Sequence, residues 1–309
     1  MPELPEVETV RIGLSAFLPG KKIAHVHHDW PKSFPNAQND TRAFLLGAVI
    51  TAVERRAKVL LIHLNTNYTL VIHLKMTGQL VYRGQNERFG AGHPNDSLVH
   101  DLPDKTTHVW FDFADGSHLF FNDQRKFGWV RLIPTPEVFN LDFFRKVGPE
   151  PLSDDFTADQ FITRLMRRAR SNIKAVLLDQ TVIAGIGNIY ADESLWAAKI
   201  HPATLVQDVS KAKLKTLFKE LQYVLRLSIE KGGSTDRNYV NAEGKKGSYM
   251  SFARVFRREG KPCPRCSTII IKTRIASRGT HICPHCQPAP SYYVLVKPTP
   301  KIRSKKATA

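Results

Sequence analysis

Residues 59–74 read VLLIHLNTNYTLVIHL, and that stretch decides the fold of the first half of the chain. Two six-residue runs, VLLIHL (59–64) and TLVIHL (69–74), are rich in β-branched residues and separated by a short polar break. Runs of this length and composition predict strands. The same texture returns at HVWFDF (108–113), HLFF (118–121) and WVRLI (129–133). From about residue 22 to 133 the pattern is strand-like, and no long helical pattern interrupts it after residue 50. An antiparallel sandwich or barrel follows. Upstream, residues 4–18 predict a helix. Pro5 sits at an early helical position, where a missing N–H costs little, and Val7, Val10, Leu14 and Phe17 repeat at helical spacing. Residues 83–105 are polar, with Gly, Pro, Asn and Asp, and predict a long loop.

Downstream the period changes. Residues 134–157 hold four prolines and read as a linker. Beyond it, Phe161, Leu165, Val176, Leu177, Leu195 and Trp196 fall in predicted helices. Leu214, Leu217, Phe218, Leu221, Val224, Leu225 and Ser228 mark one apolar helix face, stopped by Gly232–Gly233. Residues 234–250 are polar and glycine-bearing. Two short strand-like pieces follow. The last 23 residues carry prolines, five Lys/Arg and no acid, which predicts a disordered basic tail.

All four cysteines, Cys263, Cys266, Cys283 and Cys286, lie in two C-x2-C pairs separated by 16 residues. A secreted disulfide framework would be spread more widely. This spacing predicts one structural zinc ion, because four thiolates complete a tetrahedron and leave no open position for catalysis. The residues between the pairs form two apolar arms around a polar tip, with Lys272, Arg274 and Arg278 on or near it, a shape suited to probing a DNA groove.

A net charge of +17 over 309 residues favours a polyanionic partner. No apolar run is long enough to span a membrane. The opening MPELPEVETV lacks the apolar core of a signal peptide, so a cytoplasmic location is expected. A small residue after Met1 permits removal of the initiator, which would expose the secondary amine of Pro2. An α-amino group, with a pKa of about 8, is partly unprotonated at neutral pH and can attack an electrophilic carbon. By itself a Met-Pro start is weak, since most are inert.

Several ordered segments together are decisive. PELPEVETVR at the N-terminus, RRAKVLLIHL around Lys58, HLKMTGQL around Met76, NDQRKFGWV around Arg125, GPEPLSDDF, and IKAVLLDQTVIAGIGNIYADESLWAAKIHP resemble the formamidopyrimidine-DNA glycosylase family over residues 2–286. The resemblance implies an α+β protein. An N-terminal β-sandwich catalytic domain flanked by helices spans 1–133, and a linker spans 134–157. A helix-two-turns-helix domain with a lesion-capping loop spans 158–250, a zinc-ribbon β-hairpin 251–286, and the tail 287–309.

The resemblance also implies an enzyme of base excision repair, a bifunctional glycosylase and abasic-site lyase. It acts on double-stranded DNA containing oxidised purines or abasic sites, as a monomer associated with a bacterial nucleoid. Pro2 would attack the anomeric carbon and form an imine. Glu3 would be the general acid/base and Glu6 would help position the site. Lys58 and Arg278 would hold the phosphate beside the lesion and assist β,δ-elimination. The damaged base must leave the stack, and Met76, Arg125 and Phe127 would fill the void it leaves. His73, Arg170, Lys174, Gly187 and Asn188 would contact the DNA, Gly187 and Asn188 through the GIGN turn (185–188), whose backbone N–H groups can hold a phosphate. Thr106 stands where the family commonly has a DNA-contacting histidine. Two rival readings remain: an endonuclease VIII-like enzyme for oxidised pyrimidines, and an inactive zinc protein that only binds damaged DNA. The ELPEVET opening favours the purine branch, and retention of Pro2, Glu3 and Lys58 counts against the inactive protein.

Overall fold

A computed structural model describes residues 2–93, 96–98, 100–234 and 249–294. Helix α1 (Leu4–Ser15) leads into β1 (Ile23–His28), then a single turn α2 (Gln38–Asp40) continuous with the π-helical Thr41–Leu45. Strands β2 (Ile50–Arg56), β3 (Val59–Leu64), β4 (Tyr68–His73), β5 (Gly78–Arg83) and β6 (Arg88–Gly92) follow, then β7 (Thr107–Phe113), β8 (His118–Asp123) and β9 (Trp129–Pro134). They form two antiparallel sheets, ordered β1-β7-β8-β5-β6 and β2-β3-β4-β9. The expected sandwich is therefore present. Its core gathers Leu60, Ile62, Leu70 and Ile72 from one sheet and Leu80, Val109, Phe111, Leu119 and Phe121 from the other, with Val7, Val10 and Leu14 of α1.

Two expectations about this half need correction. The stretch 83–105 is not all loop, because β6 pairs with β5 in register Tyr82↔Phe89. Phe89 and Ala91 bury their side chains in the core, and that burial outweighs the polar composition around them. Nor is 134–157 a bare linker. A 3-10 turn (Thr135–Asn140) and α3 (Asp142–Lys146) lay Val138 and Phe144 over Val59, Leu61 and Val71, on the outer face of the four-stranded sheet. VLLIHL is apolar at consecutive positions because both of its faces are covered.

Helices α4 (Ala158–Met166), α5 (Ile173–Leu178), α6 (Asn188–Ala197) and α7 (Lys211–Glu230) form a second core. Thr157, Asn172 and Ser210 cap α4, α5 and α7 by accepting from free backbone N–H groups of the first turns. The buried face of α7 is Leu214, Leu217, Phe218, Leu221, Val224, Leu225 and Ser228, as its spacing predicts. A short α8 (Tyr249–Phe252) precedes the hairpin β10 (Ile271–Ile275) and β11 (Arg278–Ile282). Helix α1 touches β2, β6 and α7, so it bridges the two halves. Among the described residues no helix is long and apolar enough to cross a membrane.

The tail also needs amendment. Residues 287–294, expected to be disordered, pack against the helical half. Gln287 is buried and donates to the Ile200 carbonyl, the Tyr292 hydroxyl donates to Asp208, and the Tyr293 ring stands 4.9 Å from His201. The rest of the tail, 295–309, and residues 235–248 of the capping loop lie outside the described residues.

Candidate active site

A cleft of about 480 Å3 opens between the sandwich and the helical half. Pro2, Glu3, Glu6, Lys58, Met76, Gly187, Asn188 and Arg278 all line it. Five separate segments thus converge on one place, each brought there by an element terminus. Pro2 and Glu3 precede the first turn of α1, Lys58 lies in the turn between β2 and β3, Met76 in the turn between β4 and β5, Gly187 and Asn188 open α6, and Arg278 begins β11.

The floor is made of buried charges. Glu3 is 4% exposed, Glu6 6% and Lys58 8%. Glu6 accepts the Glu3 backbone N–H at 2.8 Å, the Tyr190 hydroxyl at 2.5 Å and the Ser234 N–H at 2.8 Å. It therefore ties the N-terminus of α1 to α6 and to Ser234 beyond the end of α7. Burial pushes the Glu3 carboxyl from 4.5 up to about 7, with Lys58 pulling it down and Glu6 pushing it further up. One of its oxygens, Oε2, is buried without a partner among the described residues. Burial likewise lowers the Lys58 amine, while Glu3 and Glu6 oppose that shift. Lys58 Nζ donates to the Ile186 carbonyl at 2.9 Å. A carboxyl near neutrality beside an amine below its usual value is a pair suited to moving protons at physiological pH.

The GIGN turn fits against this floor with no room to spare. A Cβ at Gly187 would lie 1.9 Å from Glu3 Cδ, and one at Gly185 (φ +78) 2.5 Å from Leu4. Gln180 holds the turn, donating to the Ile186 carbonyl and accepting from the Gly185 N–H. Lys58 is fixed from behind by Glu150, which accepts from Arg55, Arg56 and the backbone of left-handed Ala57.

At the rim, Met76 and Phe127 are 39% and 53% exposed. Arg125 Nη1 lies 2.9 Å from Met76 Sδ, and the guanidinium stacks over Phe127 at 4.8 Å. Three residues from two loops thus touch one another in solvent, which removes ordinary core packing as their explanation. His73, at the end of β4, is largely withdrawn from solvent, and burial drives its pKa down to about 3. Its Nδ1 accepts from the Lys75 N–H, so the neutral ring carries its proton on Nε2.

Not every expected contact survives. Lys174 is wholly buried, and its ammonium is spent on Asp192 (2.6 Å), the Thr280 hydroxyl (2.7 Å) and the Gly279 carbonyl (3.3 Å). An ammonium has three donors, all used here, so Lys174 is a structural tie between α5, α6 and the hairpin. Arg170 is exposed in the connection between α4 and α5 and does not line the cleft. Thr106 is buried and donates twice to Asp104. Asn188 lines the cleft while its Nδ2 donates to the Gly279 carbonyl, the residue after Arg278.

Sequence reading missed Tyr190, Asp192, Glu193 and Asp123. Asp192 accepts from Lys174 and from the backbone of His281, and Glu193 accepts three consecutive N–H groups of Arg254, Val255 and Phe256. Two adjacent acids inside the otherwise apolar IYADESLW were the available signal, because a buried carboxylate needs several donors.

The four cysteines are unpaired, and their sulfurs lie within 4.8 Å of one another, three of the pairs at 3.4 to 3.9 Å. A tetrahedron with Zn–S bonds of 2.3 Å has edges of about 3.8 Å, so the donor set fits one structural zinc ion. The hairpin it supports turns through Ala276 and Ser277, both left-handed (φ 52 and 59) without glycine, and delivers Arg278 to the cleft.

A sandwich, a helical unit and a four-thiolate finger closing on a cleft lined by Pro2 match a DNA glycosylase of the kind that also acts as an abasic-site lyase. The formamidopyrimidine-DNA glycosylase N-terminal domain matches residues 1–130, the formamidopyrimidine-DNA glycosylase H2TH domain residues 147–239, and the zinc finger found in FPG and IleRS residues 260–289. The formamidopyrimidine-DNA glycosylases of Pelotomaculum thermopropionicum and Streptococcus pyogenes are 41% and 42% identical, each over 93% of this chain and 99% and 98% of their own lengths. Among solved structures, a point mutant of the Lactococcus lactis FPG bound to DNA containing Fapy-dG and the Lactococcus lactis Fpg bound to abasic-site DNA superpose with TM-scores of 0.82 and 0.81. Each is 34% identical and covers 93% of this chain and 100% of the other. The chain belongs to the formamidopyrimidine-DNA glycosylase family.

Proposed function

We propose that this chain excises oxidised purines from duplex DNA through an imine at Pro2 and then cleaves the strand by β,δ-elimination. The observation that carries the reading is the meeting of Pro2, Glu3 and Lys58 in one cleft, with Glu3 raised to about 7. Once Met1 is removed, the Pro2 nitrogen attacks C1′ of an extruded nucleotide. The glycosidic bond breaks and the base departs. Glu3, protonated below about 7, gives its proton to the ring oxygen as the sugar opens. The resulting iminium acidifies the C2′–H. Loss of that proton expels the 3′ phosphate, and a second elimination expels the 5′ phosphate, leaving a one-nucleotide gap. Lys58 and Arg278 serve the phosphate beside the lesion, His73 donates from Nε2, and the GIGN turn offers backbone N–H groups. Met76, Arg125 and Phe127 occupy the vacated stack. Double-stranded DNA with oxidised or abasic nucleotides is the partner, bound by a monomer in the bacterial cytoplasm.

Borohydride trapping tests the chemistry. An imine at Pro2 is reduced to a stable protein–DNA crosslink on an 8-oxoguanine:C duplex, and a blocked N-terminus abolishes it. No crosslink on any oxidised or abasic duplex would falsify the reading. Parallel excision from thymine glycol:A duplexes separates it from the pyrimidine-directed alternative.

A further inference from the structure

Asp123 closes β8 and is completely buried, yet among the described residues no ion pair neutralises it. A buried carboxylate in that state persists only if donors surround it. They do. Asp123 Oδ1 accepts from the Thr77 hydroxyl and from the Arg125 N–H at 3.2 Å, and Oδ2 accepts from the N–H groups of Phe127 at 2.7 Å and Gly128 at 2.6 Å. The Arg125 N–H is shared with the Thr77 hydroxyl at 3.0 Å. One side chain therefore holds the backbone of Arg125 and of Phe127, and through Thr77 it holds the loop that carries Met76.

Both loops are locally strained. Lys75, just before Met76, and Lys126, between Arg125 and Phe127, are left-handed (φ 49 and 57). Such lysines persist only where the surroundings over-determine them. At Lys75 the determinant is His73 Nδ1, which accepts its N–H. At Lys126 it is Asp123, whose carbonyl accepts the Lys126 N–H at 3.1 Å while its carboxylate fixes both neighbours. Gly128 completes the lock, since a Cβ there would sit 2.6 Å from Phe121 and 3.1 Å from Asp123 Oδ2. The tips that emerge, apolar Met76 and Phe127 on either side of the Arg125 guanidinium, are large and exposed, while their backing is rigid and polar.

We infer that Asp123, with Thr77, is the positioning residue that preassembles Met76, Arg125 and Phe127 as one rigid wedge, so that the wedge enters the base stack without first having to be ordered. This rests on the void-filling reading of those three residues. A group that must displace a stacked base acts only if its own support is fixed beforehand. Asp123 touches no reacting atom, so its contribution is to extrusion of the nucleotide and not to bond breaking.

The test uses the full-length, zinc-loaded protein and two substrates: an 8-oxoguanine:C duplex, and a single-stranded oligonucleotide with an abasic site, whose sugar needs no extrusion. Asp123→Asn keeps the volume but cannot accept two N–H groups with its amide nitrogen. The expected result is a fall of at least about 10-fold in the ratio of duplex excision to single-strand cleavage, with a smaller fall in the same direction for Thr77→Val. A 2-aminopurine placed opposite the lesion should lose the fluorescence change that accompanies insertion. If the ratio in both variants stays at the parental value, or if both activities fall together, the positioning role is overturned. Thr77→Val keeps the test open should Asp123→Asn fail to fold. Phe127→Ala separates the two levels. An unchanged ratio in that variant sinks the wedge itself, whereas a fall there without one in the Asp123 and Thr77 variants sinks only the inference.

Discussion

At the floor of the cleft Glu3, Glu6 and Lys58 are withdrawn almost entirely from solvent, whereas at its rim Met76 and Phe127 stand in the open. A folded chain normally does the reverse, burying apolar side chains and hydrating charged ones. The two departures serve different ends. Desolvation at the floor moves a carboxyl and an amine toward neutrality, where proton transfer at physiological pH is efficient. Exposure at the rim keeps apolar surface available, under the proposed function, for the flat faces of stacked bases. Both are supported from behind by hydrogen bonds. Tyr190, Ser234 and the Glu3 N–H saturate Glu6, and Thr77 with three backbone N–H groups saturates Asp123.

The comparison can be broken at either end. Glu3→Gln keeps the shape of the floor and removes its titration, so base excision should fall by about 100-fold or more, the usual yield of a positioned acid, in single-turnover assays on an 8-oxoguanine:C duplex. Retention of full excision would show that the floor's buried carboxyl plays no part in the chemistry. At the rim, Phe127→Ala should lower duplex excision by about 10-fold, the scale of one lost stacking contact, as read from single-turnover rates. If this loss equalled that of Glu3→Gln, floor and rim would not be separable functions.

A third effect concerns stability and not rate. A carboxyl at about 7 in the folded protein and near 4.5 when unfolded keeps its proton on folding across that window. The folded state therefore binds more protons, and its stability falls as pH rises from 4.5 to 7. Glu3→Gln lacks this penalty. Its stability relative to the parent should grow across the window by up to roughly 3 kcal/mol, measured by denaturant unfolding at pH 5 and pH 8. A constant difference between the two pH values would show that Glu3 is not held near neutrality.

Much of this arrangement is legible in sequence. The strands from VLLIHL to WVRLI, the apolar face of α7 and the four thiolates all follow from spacing, because period and ligand separation are local properties. β6 escaped notice because RFGAG has the composition of a loop, and it is a strand only because Phe89 and Ala91 find a core. The turn and helix after Pro134 looked like a connector until Val138 and Phe144 met the outer face of β3 and β4. Lys174 illustrates the limit most sharply. In a strongly basic chain, among motifs of a DNA-binding family, a lysine in the first turn of a helix invites assignment to a phosphate. It turns inward because Asp192, eighteen residues on, is one helix away in space.

Sequence alone determined which chemical groups this protein owns: a proline behind a removable methionine, two acids within the next few residues, an isolated lysine before a strand, and two pairs of thiols at zinc spacing. Tertiary structure alone decided which of those groups lose their water and which keep it. Burial depends on what packs against a residue from distant parts of the chain, so no local pattern could say that Glu3 would be desolvated beneath Gly187, that Asp123 would face inward, or that Phe127 would not.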